Sequence, residues 1–150
     1  MNTNKGFIKE NFIFKKFLDG LPVDFGNLHE WLDNNFVYQL NANYEWFALW
    51  RIATDMRLIE SGRTKISVFV RQMNMWFPEA PHPCKASEVN RYKRGYLGNT
   101  PFKEWNRYVF CESLEDTKNC KQSSAGFDNL YRLCKKLSEE LPKVQLKQTE

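Results

Sequence analysis

Asn90, Arg91, Lys93 and Arg94 crowd five consecutive positions near the middle of the chain. Arginine offers a planar fork of donors that fits a phosphate or a guanine edge, and asparagine matches the edge of adenine. Lysine adds a mobile point charge. Side chains of these types at this density suit holding a polyanion better than breaking a bond. Lys103 and Arg107 follow, and Arg63 and Lys65 precede, just before a predicted helix whose first amides would add to phosphate binding. With Arg71 and Asn74 on that helix, the candidate nucleic-acid-binding residues are Arg63, Lys65, Arg71, Asn74, Asn90, Arg91, Lys93, Arg94, Lys103 and Arg107.

The charge distribution agrees. The net charge is only +4, but residues 51–110 hold eleven basic against five acidic side chains. Residues 1–40 hold four against five, and residues 111–150 hold seven of each. A local surplus attracts a phosphate backbone and releases its counterions. The plainer reading is a solvated basic face, which is common.

Motifs for catalysis or cofactors are absent from the sequence: there is no G-x-S-x-G, Walker-type loop or Rossmann glycine pattern. No cofactor is therefore expected. His82, Cys84, Cys111 and Cys120 lack the spacing of a zinc site, since no C-x-x-C occurs. Cys134 falls on an apolar helical stripe and reads as a core residue. Nucleophilic catalysis would need a thiol beside His29 or His82; His29, next to Glu30 at a helix start, reads as a surface residue. A metal-dependent nuclease needs converging carboxylates, whereas Glu112, Glu115 and Asp116 lie in or beside a polar loop. The expectation is a binding protein with neither catalytic residues nor a metal.

These side chains need a scaffold. The chain of 150 residues fits one domain, and its twelve Phe, six Tyr and five Trp fill a core economically. Helices are predicted over 5–18, 28–40 (with Asn27 as N-cap), 44–60, 67–76 (with Ser67 as N-cap), 88–97 and 127–141. Asp19-Gly20-Leu21-Pro22 reads as the stop of the first and Pro142 as the stop of the last. Residues 102–112 read equally as a strand or short hairpin and as a helix. Trp46, Trp50, Trp76 and Trp105 read as core rather than as stacking platforms. The last helix is expected to pack within the chain, with a partner-binding face as the alternative.

Helix, short helix, basic helix and aromatic segment over 44–112 form the order of a winged helix-turn-helix, in which one helix enters the major groove and the wing touches backbone. The fold expectation is thus mainly α: a single domain over 1–150 with an N-terminal helical segment over 1–40, a winged-helix-like core over 44–112 with room for a short β-hairpin, and an amphipathic helix over 125–142. The connection between Trp76 and Ser87 holds three prolines and is longer than the usual turn of about three or four residues.

Ile66-Ser67-Val68-Phe69-Val70-Arg71-Gln72-Met73-Asn74-Met75-Trp76 resembles the recognition helix of the heat-shock transcription factors, F-S-S-F-V-R-Q-L-N-M-Y. The resemblance implies base-facing or groove-facing positions for Arg71 and Asn74. It ends there, for the family's flanking helix and strand signatures and its glycine-aromatic step are missing. Residues 48–110 are also similar in layout to small uncharacterised phage proteins that look like winged-helix proteins. Fourteen asparagines and many lysines suit an AT-rich genome, as phages and mobile elements often have.

No stretch approaches about 18 apolar residues, and charges interrupt the apolar N-terminus, so no membrane contact and a cytoplasmic location with free thiols are expected. The function expected is a non-enzymatic DNA-binding protein, of the kind a phage or mobile element uses as a regulator. The alternative is a small protein that binds and inhibits or redirects a host protein. Oligomeric state is left open.

Overall fold

The computed structural model of the chain describes residues 11, 13–59, 65–93, 96–105 and 120–144, apart from the side chains of 96 and 120–125. The fold is mainly helical, with one small two-stranded antiparallel sheet. Strands β1 (Phe17–Leu18) and β2 (Leu21–Pro22) precede helices α1 (Phe25–Asn35), α2 (Trp46–Asp55), α3 (Ile66–Trp76), α4 (Ala86–Lys93), α5 (Tyr96–Asn99) and α6 (Cys120–Val144). Short 3-10 turns occupy Val37–Gln39, Asn43–Glu45 and Phe102–Glu104.

The hairpin corrects the helix expected over 5–18, whose residues 5–10 and 12 lie outside the described ones. Phe17 pairs with Pro22 and Leu18 with Leu21. Asp19 and Gly20 between them both take positive φ, 53° and 85°. Two central residues of that hand make the turn that matches strand twist, and Asp-Gly is its favoured dipeptide. A hairpin stands at 17–22; of the 102–112 segment, Phe102–Glu104 is a 3-10 turn and residues 106–112 lie outside the described ones.

Asp24, not Asn27, caps α1: its carboxylate accepts from Asn27 N at 3.0 Å. Leu28, His29 and Leu32 face inward from it. His29 is thus a core residue rather than the expected surface one. Its Nε2 donates to Trp76 O at 3.2 Å, and its ring stacks on Phe77 at 4.8 Å. A neighbouring glutamate in sequence says nothing about the aromatic floor that α3 brings from 47 residues away.

Helix α2 is the axis of the fold. Residues Trp46 to Thr54 are all buried, so it has no polar face. It is shorter than the 44–60 expected. Arg57 takes a left-handed φ of 64°, Arg57 N donates to Thr54 O, and Leu58 N reaches back to Ala53 O at 2.8 Å. Those bonds satisfy the last carbonyls of the helix in a Schellman arrangement. An arginine stands where glycine is usual, and its guanidinium pairs with Asp19 at the hairpin turn. Lys15 N then donates to Leu58 O and Phe14 bridges Ile59, joining the N-terminal stretch to the end of α2.

Against α2 lies α6, with Leu130, Cys134, Leu137 and Leu141 completely buried along one stripe. The stripe packs within the chain, beside Ala48, whose carbonyl accepts from the Cys134 thiol at 3.9 Å. Lys136 donates to Asn35 O at 2.8 Å, a cation at the C-terminal carbonyls of α1. Helix α6 runs past Pro142 to Val144 instead of ending at the proline. Cys84 and Cys134 are free buried thiols, and burial pushes both well above the ordinary thiol range. The four tryptophans expected in the core, Trp46, Trp50, Trp76 and Trp105, are all buried there. Among the described residues no helix is long and apolar enough to cross a membrane.

Candidate nucleic-acid interface

Helices α3 and α4 carry most of the described candidates. Buried Ile66, Phe69, Gln72, Met73 and Trp76 turn α3 inward, which leaves Arg71 on its exposed side. Lys65 is exposed at the N-cap of α3, and its own side chain makes no cap hydrogen bond. The helix starts at Ile66, one residue before the start expected, with Lys65 rather than Ser67 at the cap.

The proline-rich connection after α3 is held at several points. Asn74 Nδ2 donates to Cys84 O at 3.0 Å, and Asn74 Oδ1 accepts from Cys84 N at 3.2 Å. Trp46 Nε1 donates to His82 O and Asn43 Nδ2 to Pro83 O, each at 2.7 Å. Prolines leave backbone carbonyls in want of donors, and these side chains provide them. The Asn74 amide, which the heat-shock-factor resemblance turns toward a groove, is spent on this clamp.

Helix α4 rests on α2 and α3 through Val89 and Tyr92. Arg91 therefore points to solvent, its guanidinium carbon 5.6 Å from the centre of the Tyr92 ring. Lys93 is half-buried with its ammonium 5.8 Å from the centre of the Trp50 ring. Ring faces attract these cations and restrict them while their charge still meets water. Asn90 is half-buried on the same helix. Burial raises the Tyr92 phenol, with Arg91 opposing and Tyr44 and Glu88 adding to the rise. The chain expected to be helical over 88–97 is thus α4 and α5, with Arg94 between them outside the described residues, as are Arg63 and Arg107.

Lys103 is exposed on the Phe102–Glu104 turn. A pair missed in the sequence holds that turn in place. Arg51, only 5% exposed, reaches Asp55 Oδ1 from Nε at 3.1 Å and Nη2 at 2.9 Å. Its Nη1 donates to Leu97 O at 3.2 Å and to Gly98 O at 2.9 Å. Asp55 Oδ2 then accepts from Phe102 N at 2.9 Å. One guanidinium and one carboxylate thereby tie α2, α5 and the Lys103 turn together. The signal was an Arg–Asp pair at i, i+4 on a predicted helix.

Gly98 makes the junction possible. A Cβ there would stand 1.9 Å from the Lys93 carbonyl oxygen, so only a residue without one lets α5 lie against the end of α4. Lys65, Arg91, Lys93 and Lys103 take part in no ion pair among the described residues. Lys65 and Arg71, Arg91 and Lys93, and Lys103 stand on three separate elements around the α2 axis. Among the described residues, no group of three or more His, Cys, Asp or Glu side chains could hold a metal ion. No protein-family model, curated protein or solved structure matches the chain.

Proposed function

We propose that the protein binds DNA without acting on it chemically, using α2, α3 and α4 as a winged-helix-like centre. In this reading α4 is the helix that approaches the groove, with Arg91 and Asn90 toward the bases or phosphates and Lys93 toward the backbone. Lys103 contributes from the following turn, and Lys65 and Arg71 bind phosphates beside the first turns of α3. The observation that carries the reading is that Lys65, Arg91, Lys93 and Lys103 have no carboxylate partner among the described residues. Cations left without an internal counter-ion keep their attraction for an external polyanion. The long connection between α3 and α4 is compatible with a helix pair acting as one unit, because Asn74 and Trp46 anchor it.

The test is a salt series. Each phosphate contact removed lowers the slope of log affinity against log salt by about 1. Arg91→Ala combined with Lys93→Ala should weaken duplex binding and flatten that slope by about 2. A double variant with the parental slope refutes the proposal.

A second reading, binding to a host protein, draws on a different surface. Phe17 and Leu21 on the hairpin are 60% and 54% exposed, two large apolar side chains open to solvent beside the short β-turn. Capture of a partner that resists nuclease treatment and is lost on Phe17→Ser with Leu21→Ser would favour it, since neither residue bears charge for DNA.

A further inference from the structure

Helix α4 carries its two described cations on opposite flanks. Val89 and Tyr92 are its buried residues and fix the inward direction. Successive residues of a helix stand about 100° apart. By that spacing Ser87 faces directly away from the core, with Asn90 beside it on one side and Arg91 on the other. Lys93 stands further round on the side of Asn90, about 160° from Arg91. Burial follows the same order: Ser87 and Arg91 are exposed, and Asn90 and Lys93 are half-buried. Two aromatic rings hold the cations apart. The Arg91 guanidinium lies 5.6 Å from the centre of the Tyr92 ring, and the Lys93 ammonium 5.8 Å from that of Trp50. Each cation is thereby drawn back along its own flank, and the outermost strip is left to two short, uncharged polar side chains, Ser87 and Asn90.

This arrangement matches one surface in particular. A helix is about 10–12 Å across with its side chains, and the major groove of B-form DNA is about 12 Å wide. A helix lying in that groove has a phosphate wall on each flank and base edges in front. Cations on opposite flanks suit two walls, and a single strand supplies only one. An RNA duplex does not fit, because its major groove is too narrow for side chains to read. Asparagine pairs with the N6 and N7 of adenine, and a serine hydroxyl can donate or accept. One feature opposes the fit: Glu88, half-buried on the flank of Arg91, sets a carboxylate near that wall.

We propose that α4 reads duplex DNA from the major groove, with Arg91 on the phosphates of one strand, Lys93 on those of the other, and Ser87 and Asn90 on the base edges between them. The inference rests on the DNA reading and adds to it a double-stranded substrate and two sequence-reading residues. Ser87 is not among the candidates read in the sequence. Eight residues of helix span about 12 Å, so the direct readout covers about three or four base pairs.

The experiment selects duplexes from a pool with a randomised centre on the full chain, then measures affinity for the selected duplex, for an unselected one, for each single strand and for the RNA duplex of the same sequence. The selected DNA duplex should bind at least about tenfold more tightly than the single strands or the RNA. Asn90→Ala and Ser87→Ala should each lower affinity for the selected duplex about tenfold, relax the preference at one or two adjacent base pairs, and leave the unselected duplex unaffected. Uncharged methylphosphonate linkages on either strand of the site should weaken the parent; Arg91→Ala should become insensitive to them on one strand and Lys93→Ala on the other. Glu88→Gln should tighten binding to every duplex. A pool without base preference overturns the proposal, as do parental preference in both polar variants, equal affinity for the RNA duplex, or both cationic variants losing sensitivity on the same strand. In any of these cases the DNA reading still stands if Arg91→Ala with Lys93→Ala flattens the salt slope, whereas absence of binding to all duplexes removes the reading and this inference together.

Discussion

Removing Arg51 tests the brace that positions the Lys103 turn. Arg51→Met keeps most of the apolar stem and deletes the guanidinium. Asp55, with its side chain 20% exposed, then keeps Phe102 N as its remaining described partner. Stripping one member from a buried ion pair costs about 3–5 kcal/mol. The partial exposure of Asp55 puts its share at the lower end. The carbonyls of Leu97 and Gly98 lose charged donors as well, though Gly98 is only half-buried and water can replace part of that loss. The expected total is about 3–4 kcal/mol. For a chain of this size that lowers the melting midpoint by roughly 10 °C, at about 2–4 °C per kcal/mol. Urea titration followed by circular dichroism reads the free energy, and tryptophan emission reports on Trp50, which Arg51 faces at 5.2 Å. Adding Asp55→Asn should recover about 2 kcal/mol, because the stranded charge disappears while an acceptor for Phe102 N remains. A loss below about 1 kcal/mol in Arg51→Met, the worth of an exposed pair, would refute the brace.

Two further outcomes follow from the same packing. Gly98→Ala should cost about 2–3 kcal/mol, since its methyl would meet the Lys93 backbone at 1.9 Å and α5 must move away; a melting midpoint equal to the parent's would contradict that contact. The buried thiols should make the fold sensitive to alkali. Burial raises Cys84 and Cys134 above the ordinary value of 9.0, so the unfolded chain releases those protons first. Stability is then full below about pH 9 and declines as pH rises, by about 1.4 kcal/mol per pH unit for each thiol, until the folded-state thiol itself ionises. Cys134→Ala should remove one such slope from urea midpoints measured between about pH 9 and 11, and an unchanged slope would contradict the burial of that thiol.

What was legible in the sequence was what periodicity carries. Helix α3 lies within one residue of expectation because Phe69, Met73 and Trp76 recur on one face against Arg71 and Asn74. The inner stripe of α6 was equally plain. The hairpin was not, because two-residue strands are too short to display alternation, and Phe14, Phe17 and Leu18 also suit a helical face. Its one signal, Asp19-Gly20, serves a helix stop as well as a tight turn. Of the candidate site, the outward direction of Arg71 and Arg91 could be read, since each stands opposite an apolar stripe. The roles of Arg51 and Asn74 could not. Helix α2 is covered all round, so its polar residues look like an outer face in sequence but are interior, and Asn74 is claimed by a backbone ten positions away. Such uses are set by tertiary neighbours, which helical spacing does not encode.

Because the flank of α2 is covered by α6, synthesis and folding are coupled in an unusual order. The thiol–carbonyl contact between Cys134 and Ala48 joins residues 86 positions apart, and Asn129 meets Tyr44 across 85. While the ribosome is still adding the intervening segments, the fully buried helix α2 has no partner for one side. Closing loops of that length is slow compared with forming local turns. The nascent chain therefore passes through a stage in which the flank of α2 that carries Ala48 is open to chaperones or to a second chain, and that interval ends only when the buried stripe of α6 has emerged.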